Sequence, residues 1–455
     1  SYEGISGMDL KAKKVMPEVF VVTPNGLDDT PALAQAFDDA KVAGPGSIVK
    51  LVEGEYHVGY MEIFDFYGSL MGAGKDKTII TLLPGMDIDA LWAQNLTHCQ
   101  VKFVGGDVHM SNFTMQTPPG ILSTGGPGWG HIYAMMNFSA FSAIYELGNE
   151  SRSINVVIDN VRFKGHYLEG GPGYLHGYNS FMGVRVGFDC FSNVWSGPLM
   201  PREKIDFKIT NSEFDTFCYG LALEGMKNSR AVVGEKTKGN IFNNLDQQAG
   251  VWESRDVEIL IEGNIFNVPE YGYGFDQDDS NWYGNYLQEE SSKRATLCNI
   301  QFNVFNLPFS EYALFLNNRR QLAPFNEIPV AYQIRNNQFN MTGSYPWAVV
   351  SYRTNGAVIR NNKFTGYGDV GLLLGTYSSG GLVLGNNFST AEFSTAAVYL
   401  TPSSKDWTVV GGNIQDQLIN LGINNIISGV NVSTSDIPLG RTIHDKLPPM
   451  NHLMH

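Results

Sequence analysis

The stretch Ala357-Val-Ile-Arg-Asn-Asn-Lys-Phe364 contains the pattern that decides the fold. A short alternating segment ends at a polar corner, and the tripeptide Asn-x-Phe follows the corner. The same tripeptide recurs along the chain, beginning at Asn240, Asn264, Asn303, Asn337, Asn362 and Asn386. A looser Asn-x-x-Phe precedes this set, at Asn160 to Phe163 and at Asn211 to Phe214. The recurrence indicates a repeated structural unit.

The spacing of the repeat predicts a solenoid. Successive Asn positions of the tight set are separated by 24, 39, 34, 25 and 24 residues. A unit of about 24 residues, with insertions in two units, explains this series. Units made only of strands and turns cannot bury a face alone, whereas stacked coils share one elongated core. We therefore expect an all-β fold, a parallel β-helix, in which these Asn and Phe residues are turn and core residues.

Length and charge narrow the class of protein. The 455 residues would suggest several ordinary domains, but a solenoid grows lengthwise and makes them one long domain. The formal net charge of -14 argues against a general nucleic-acid binder, which needs a basic footprint. No apolar run reaches the length of a membrane span, and the first residue is Ser. We expect a secreted, periplasmic or cell-surface protein whose signal peptide has been removed.

The cysteines give little further information. Cys99, Cys190, Cys218 and Cys298 are too few and too scattered for a disulfide framework or a zinc site. We interpret them as small buried residues. A bridge between Cys190 and Cys218 would support an oxidising compartment, and the sequence leaves that pairing open.

The N-terminal region predicts a helix that caps the coils. Thr30 is a candidate N-cap and Pro31 stands at the first helical position of a helix over about residues 30–42. With Asn25-Gly-Leu-Asp-Asp-Thr30 and Gly54-Glu-Tyr56, the chain resembles the pectate-lyase-like superfamily of right-handed parallel β-helices. Many of its members open with Gly-x-Asp-Asp-Thr, a capping helix and a Gly-x-Tyr coil start.

The resemblance extends over most of the chain. It implies an N-terminal arm at 1–20, a right-handed, single-stranded β-helix at 21–432 and a C-terminal tail at 433–455. It also implies a carbohydrate-active protein. Because β-helix enzymes often trimerise along their shafts, a homotrimer is one option.

The strand that follows each landmark Phe can be aligned from coil to coil. We align Gly220-Leu-Ala-Leu-Glu224 with Gly250-Val-Trp-Glu-Ser254, with Gly274-Phe-Asp-Gln-Asp278 and with the later coils. Apolar residues then share the second column and point inward: Leu221, Val251, Phe275, Leu314, Val349 and Leu372. Glu253 also falls in an inward column. A slip of one residue would bring Glu253 onto the outward face and remove Trp252 from it.

The outward columns resemble a sugar-binding cleft, with carboxylates at the centre, aromatic residues beside them and arginines at the ends. The catalytic candidates are Asp276, Asp278, Asp279 and Glu224. The substrate-binding candidates are Arg185, Trp252, Arg255, Trp282, Tyr283, Phe315, Asn317, Arg319, Tyr352 and Arg353. Both insertions, after Asp279 and after Asn318, leave the same edge of this face and would wall a groove. Trp282 and Tyr283 either stack on sugar rings or pack the base of their own loop.

The spacing of the acids favours a glycoside hydrolase. Asp276 and Asp278 are two residues apart on one strand, about 6.8 Å between Cα atoms, and Glu224 lies two coils from Asp278, about 9.5 Å. Inverting glycosidases separate their carboxyl groups by about 6.5–9.5 Å, which leaves room for a water. One acid would protonate the leaving oxygen while another activates the water. The outward acids look like those of polygalacturonases and iota-carrageenases, but the Asn-Thr-Asp, Gly-His-Gly and Arg-Ile-Lys motifs of polygalacturonases are absent.

Two alternatives remain open. A lyase or C5-epimerase acting on uronate sugars would use Arg255, Arg319 and Arg353 to hold a carboxylate. Tyr273-Gly-Phe-Asp276 resembles the Tyr-Gly-Phe-Asp-Pro-His of alginate epimerases, although Gln277-Asp278 replaces Pro-His. No cofactor is required, but calcium at Asp276, Asp278 and Asp279 is chemically reasonable. The third reading is a non-catalytic carbohydrate-binding shaft, similar to a tailspike.

Overall fold

The computed structural model of the chain describes residues 16–86, 99–117, 133–140, 152–165, 181–187, 203–215, 219–243, 247–252, 254–268, 273–278, 296–308, 312–317, 331–343, 346–375, 377–414 and 417–429. These residues form 31 strands and one helix, and the pairings between the strands are parallel. The chain passes through three sheets in turn, which we name A, B and C, and repeats this circuit coil after coil. The right-handed parallel β-helix expected from the repeat and the resemblance is confirmed.

Sheet A holds the residues that the sequence aligned as a functional face. Its strands are the first parts of β4 (Met61–Met71) and β6 (Cys99–Gln116), then β7 (Tyr133–Ser139), β9 (Phe181–Val186), β12 (Tyr219–Glu224), β15 (Gln247–Trp252), β18 (Tyr273–Asp278), β21 (Tyr312–Asn317), β24 (Trp347–Tyr352), the last parts of β26 (Lys363–Leu374) and β28 (Asn387–Leu400), and β30 (Leu418–Asn420).

Sheet B follows sheet A along each coil. It contains β1 (Val19–Val22), β2 (Ser47–Leu51), later parts of β4 and β6, the first part of β8 (Ile154–Lys164), β10 (Ile205–Thr210), β13 (Lys227–Val233), β16 (Arg255–Glu262), β19 (Leu297–Gln301), β22 (Ala331–Arg335), β25 (Val358–Arg360), β27 (Leu382–Leu384), β29 (Thr408–Val410) and β31 (Ile426–Ser428).

Sheet C completes each coil. It contains β3 (Gly54–Val58), β5 (Thr78–Leu82), the ends of β6 and β8, β11 (Glu213–Asp215), β14 (Ile241–Asn243), β17 (Ile265–Asn267), β20 (Val304–Leu307), β23 (Gln338–Thr342) and the first parts of β26 and β28.

The landmark phenylalanines form one stack through the core, as expected. Neighbouring rings have centroids 4.4 to 5.1 Å apart, in the order Phe163, Phe214, Phe242, Phe266, Phe305, Phe339, Phe364 and Phe388. Each ring is buried. Because the strand spacing is about 4.8 Å, identical residues in one register position stack at van der Waals distance. This stack fixes the register of sheet C.

The landmark asparagines form a buried ladder beside the rings. The amide Nδ2 of each Asn donates to the Oδ1 of the next at 3.0 to 3.1 Å, in the order Asn240, Asn264, Asn303, Asn337, Asn362 and Asn386. The second amide hydrogen goes to a backbone carbonyl, as from Asn303 to Ile261 at 2.9 Å. The ladder therefore satisfies polar groups at a buried corner where sheet B turns into sheet C.

The backbone conformation just before the ladder asparagines explains the doubled Asn-Asn and the Gly-Asn in the sequence. The preceding residue has a positive φ in five coils, at Gly263, Phe302, Asn336, Asn361 and Gly385. Glycine and asparagine tolerate this left-handed conformation, whereas a bulky residue such as phenylalanine is strained in it.

Helix α1 (Thr30–Ala43) covers the N-terminal end of the core. Its Phe37 ring packs edge-on against Phe66, with centroids 5.0 Å apart. The expected N-cap is wrong by one residue, since Asp29 is the N-cap and has no capping hydrogen bond. The Asp29 carboxylate instead accepts the backbone N–H groups of Asn25 and His57, at 2.7 and 2.9 Å. In the described part of the chain, no helix is long and apolar enough to cross a membrane.

Candidate functional site

The side of sheet A that points away from the core is the candidate site, and we call it the site face. Two rows of register positions run along it. The 276 row contains Arg185, Ala222, Gly250, Asp276, Phe315 and Val350. The 278 row contains Glu224, Trp252, Asp278, Asn317 and Tyr352. The register thus brings eight of the predicted site residues into two rows: Arg185, Glu224, Trp252, Asp276, Asp278, Phe315, Asn317 and Tyr352.

Alternation along the strands supports the orientation of the site face. Leu314 and Leu316 pack in the main core, while Phe315 between them belongs to a separate buried cluster. Val349 and Val350 divide in the same way. Successive side chains of a strand point to opposite sides of a sheet, so the two rows lie on the side opposite the core.

One coil of the sequence alignment is wrong by two residues. Gly250 pairs with Ala222 and Asp276, not with Gly220 and Gly274. The inward position expected for Val251 is therefore taken by Ala249, which is buried in the core. The physical reason is that the number of residues between the landmark Phe and the strand of sheet A varies between coils, so a glycine near the start of that strand does not mark a fixed position.

The two-residue shift preserves the alternation and moves Trp252 along the face. Trp252 lies between Glu224 and Asp278 in the 278 row, not beside Asp276 as the alignment had it. The alternative slip of one residue would have put Glu253 in this row and removed Trp252 from the outward columns. It is wrong, because Trp252 is the residue that pairs with Glu224 and Asp278. Glu253 lies outside the described residues.

Arg185 and Glu224 form a buried ion pair at one end of the two rows. Their side chains are 3% and 0% exposed, and the distance from Arg185 Nε to Glu224 Oε1 is 3.9 Å. Asn137, next to Arg185 in the register, donates from Nδ2 to the backbone carbonyls of Arg185 and Gly187, at 3.3 and 2.8 Å. A glycine at position 187 lets the backbone pass close to the Glu224 carbonyl oxygen, because a Cβ there would lie 1.9 Å from that oxygen.

The 276 row continues toward the N-terminus through residues that the sequence reasoning missed. Glu62, Lys102 and Asn137 occupy successive register positions before Arg185. Lys102 is completely buried, and its Nζ lies 4.0 Å from Glu62 Oε1. These coils lack the Asn-x-Phe landmark, so nothing anchored an alignment there. The one available signal was a lysine between the apolar Val101 and Phe103 of an alternating strand.

Glu203 is a second buried carboxylate, close to Gly187 at the end of β9. It is 2% exposed, and its Oε1 accepts the Ser139 hydroxyl and the Ala140 N–H at 2.5 and 3.0 Å. A buried carboxylate needs such donors, because an unpaired charge in the interior is costly. The N-terminal half of the site face is therefore a buried network of charged and amide groups.

The C-terminal half of the site face is apolar. Its buried cluster consists of Tyr312, Phe315, Trp347, Val350, Tyr352, Val370, Leu373, Ala396, Tyr399 and Ile419. Phe315 is 2% exposed and packs against Tyr312 with ring centroids 5.1 Å apart. The expectation that Phe315 presents its ring to a sugar is therefore corrected, since that ring packs inside this cluster. Asp369 accepts the Trp347 Nε1–H at 3.0 Å, and burial raises the pKa of Tyr399.

Arg353 directly follows the 278 row. Its guanidinium carbon lies 4.7 Å from the centroid of the Tyr352 ring. Its φ is 55°, a left-handed conformation that glycine adopts at the equivalent place after Glu224, where Gly225 has φ 57°. Arg255 begins β16 and pairs with Lys227, so it belongs to sheet B and not to the site face.

Asp279, Trp282, Tyr283 and Arg319 lie outside the described residues, as do Cys190 and Cys218. Cys99 and Cys298 are buried, and burial raises the pKa of Cys298 well above its usual range. No cluster of His, Cys, Asp and Glu suited to a metal occurs in the described ranges. The calcium site expected at Asp276, Asp278 and Asp279 involves side chains that are not among those described.

Comparison with known proteins finds similarity at the level of structure. No protein-family model matches the chain, and no curated protein matches it in sequence. A mannuronan C-5 epimerase, the AlgE6 A-module of Azotobacter vinelandii, is 16% identical with a TM-score of 0.36, covering 90% of this chain and 97% of its own. The Streptococcus pneumoniae surface protein and adhesin PfbA is 13% identical with a TM-score of 0.42, covering 90% and 96%.

A third similar structure is the catalytic unit of a GH87 alpha-1,3-glucanase from Streptomyces thermodiastaticus strain HF3-3. It is 12% identical with a TM-score of 0.41, and the match covers 91% of this chain and 67% of that one. The three proteins differ in what they do, and identities and TM-scores this low support no conclusion about activity.

Proposed function

We propose that the protein is a glycoside hydrolase that cleaves a polysaccharide or oligosaccharide bound along the site face. The observation behind this proposal is the register of β12, β15 and β18, in which Glu224, Trp252 and Asp278 occupy one row. Asp276 occupies the neighbouring row of the same strand. Three acids and a tryptophan thus belong to adjacent positions of one face.

The backbone spacing of these acids suits hydrolysis by inversion. Asp276 and Asp278 have Cα atoms about 6.8 Å apart along β18, and Glu224 and Asp278 are separated by two strand spacings, about 9.5 Å. Inverting glycosidases keep their two carboxyl groups about 6.5–9.5 Å apart. We assign proton donation and water activation to the Asp276 and Asp278 pair, with Asp279 as a further candidate.

Glu224 fits a positioning role better than proton transfer. It is completely buried and its carboxylate lies beside the Arg185 guanidinium. A carboxylate in this setting cannot reach solvent or a glycosidic oxygen without leaving its partner. We propose that the Arg185–Glu224 pair fixes the end of β12, and with it the position of Trp252 and Asp278 in the next two strands.

The experiment is a panel of neutral and uronic polysaccharides, assayed for the release of reducing ends. The Asp276→Asn and Asp278→Asn variants should bind the active polysaccharide and lose turnover by about 100-fold or more, the usual effect of removing a catalytic acid or base. Asp38→Asn, an exposed residue on α1, is the matched control and should keep wild-type rates. Wild-type rates in both Asp276 and Asp278 variants would overturn the assignment.

A polysaccharide lyase or C5-epimerase is the second candidate, and Arg353 favours it. Its partly buried guanidinium directly follows the 278 row, and elimination from a uronate requires a cation that neutralises the sugar carboxylate. A lyase would also release a new reducing end, but it would leave an unsaturated, ultraviolet-absorbing uronate on the other fragment. Binding without any cleavage would identify a carbohydrate-binding shaft instead. All three roles suit a protein outside the cell, because polysaccharides do not cross membranes, and we propose that location.

A further inference from the structure

Arg353 has a combination of features that its role in the fold does not explain. Its φ of 55° places a long side chain in the left-handed region. A residue other than glycine, asparagine or aspartate is uncommon there, and such strain persists only where other interactions hold it. Elsewhere in the described chain, the residues with positive φ are mostly glycine, asparagine or aspartate. The strain at Arg353 therefore calls for a compensating interaction.

The interaction that holds Arg353 is a stack of aromatic rings. Its guanidinium lies over the Tyr352 ring, and Tyr352 is stacked on Phe315 with centroids 6.3 Å apart and an interplanar angle of 24°. Phe315 in turn contacts Tyr312. The rings are nearly buried, so the base of the stack is rigid. A guanidinium resting on such a base is fixed in orientation before any ligand arrives.

No described residue neutralises the charge of Arg353. Among the described residues, the side chain contacts the Tyr352 ring and no carboxylate, and its buried Nε has no hydrogen-bond acceptor. By contrast, Arg185 on the same face has Glu224 beside it. Arg353 is only partly buried, so its planar fork of N–H donors remains available to a ligand.

The position of Arg353 relates it to the acids of the proposed site. It directly follows Tyr352, which is two strand spacings from Asp278 in the 278 row, about 9.5 Å. A glycan lying along the site face would therefore meet Arg353 beside the sugars next to the cleavage point.

We propose that Arg353 is a specificity-determining residue that binds an acidic substituent, a carboxylate or a sulfate ester, on a sugar of the bound glycan. This inference rests on the proposed function of the site face, and it adds that the substrate is an acidic glycan. A guanidinium fork recognises both anions by paired hydrogen bonds, so the experiment has to separate the two sources.

The test measures dissociation constants for three oligosaccharides: a uronate, a sulfated galactan and a neutral glucan. Wild-type protein should bind one acidic oligosaccharide more tightly than the neutral one. Arg353→Gln should reduce that preference by about tenfold or more, since hydrogen bonds to charged groups contribute that much. Arg353→Lys, which keeps the charge and loses the fork, should fall between the two. The preferred acid identifies the substituent.

A stability measurement separates this role from a structural one. Arg353→Gly and Arg353→Gln lose the same ring contact, but glycine relieves the left-handed strain. The glycine variant should therefore melt about 1 to 2 °C above the glutamine variant and bind acidic glycans equally poorly. Asp406→Gly is the matched control, because Asp406 is exposed, has φ 55° and lies in another turn. It should leave the preference for acidic glycans unchanged.

The outcomes distinguish this inference from the proposed function. Binding and cleavage of a neutral glycan with unchanged preference in Arg353→Gln would overturn the role of Arg353 and leave the hydrolase proposal standing. Binding of none of the three oligosaccharides, or of any other glycan tried, would overturn both. A tenfold loss of preference confined to the Arg353 variants supports the inference.

Discussion

The Nε of Arg185 lies 3.9 Å from the Oε1 of Glu224, and both side chains are removed from solvent. The pair joins two neighbouring strands of sheet A, β9 and β12, through side chains on the site face. Removing one partner leaves a buried charge without compensation, which typically destabilises a protein by about 3–5 kcal/mol. The pair is therefore expected to behave as a unit.

A double-mutant cycle measures that coupling. Arg185→Met and Glu224→Gln should each lower the free energy of unfolding in urea, and the double variant should lose less than the sum of the two single losses. The expected interaction energy is about 1–3 kcal/mol. Strictly additive losses would show that the two side chains do not depend on each other.

The inner asparagine ladder should contribute more to stability than the outer one. Asn303 is buried and binds its neighbours in both directions, whereas Asn306 lies in a second ladder on the partly exposed outside of sheet C, bonded to Asn267 at 2.7 Å. Asn303→Ala leaves buried polar groups unsatisfied and should cost about 2–3 kcal/mol. Asn306→Ala, the matched control, should cost less than about 1 kcal/mol. Equal effects in urea unfolding would refute the distinction.

Phe302 should be a site where substitution stabilises the protein. It occupies the left-handed corner where other coils have glycine or asparagine, with φ 56°, and its ring is 36% exposed under Lys236. Phe302→Asn relieves the backbone strain and should raise the free energy of unfolding by about 0.5–1 kcal/mol. The reverse change in the neighbouring coil, Asn336→Phe, should lower it. A destabilised Phe302→Asn variant would mean that the ring contact with Lys236 outweighs the strain.

Acid should weaken a cluster that links separate coils. Arg162 donates to Glu213 at 2.6 Å and to Asp76 at 2.7 Å, and Lys75 donates to Glu213 at 3.1 Å. The hydrogen bond from Arg162 lowers the pKa of Asp76. Burial acts to raise the pKa of Glu213, but the hydrogen bonds from Arg162 and Lys75 outweigh burial and lower it.

A lowered pKa in the folded state gives stability that is complete above the ordinary pKa and is lost as the pH falls through the folded value. The stability difference between wild type and Glu213→Gln should therefore be constant above the ordinary pKa of 4.5 and shrink below it. Urea unfolding at a series of pH values measures this difference. Glu258→Gln, at a half-exposed acid of sheet B whose Oε1 lies 3.7 Å from Arg230 Nε, is the control and should destabilise the protein less than Glu213→Gln does at neutral pH. A difference that grows on acidification would contradict the assignment.

The repeated positions of this fold were predictable because identical residues stack on one another at each turn. Asn303 and Phe305 mark their coil in the sequence, and the ladder and the ring stack form where the repeat predicts them. The rows of the site face were predictable only where such a landmark precedes the strand. The coil of Gly250 was misaligned because the number of residues between the landmark Phe and the strand of sheet A varies between coils. Lys102 escaped notice because no landmark precedes it, and Glu203 because it lies after the aligned strand of its coil, just before β10.

The measurement that tests the central claim most directly is mass spectrometry of the products formed in heavy-oxygen water from a glycan that the protein cleaves. Hydrolysis at the Asp276 and Asp278 pair places one solvent oxygen on the new reducing end formed at each cut. The fragment that carries this end should therefore gain the mass of one heavy oxygen, while the other fragment keeps the glycosidic oxygen. Cleavage products that contain no solvent oxygen and absorb in the ultraviolet would contradict a hydrolase and assign elimination to the site face.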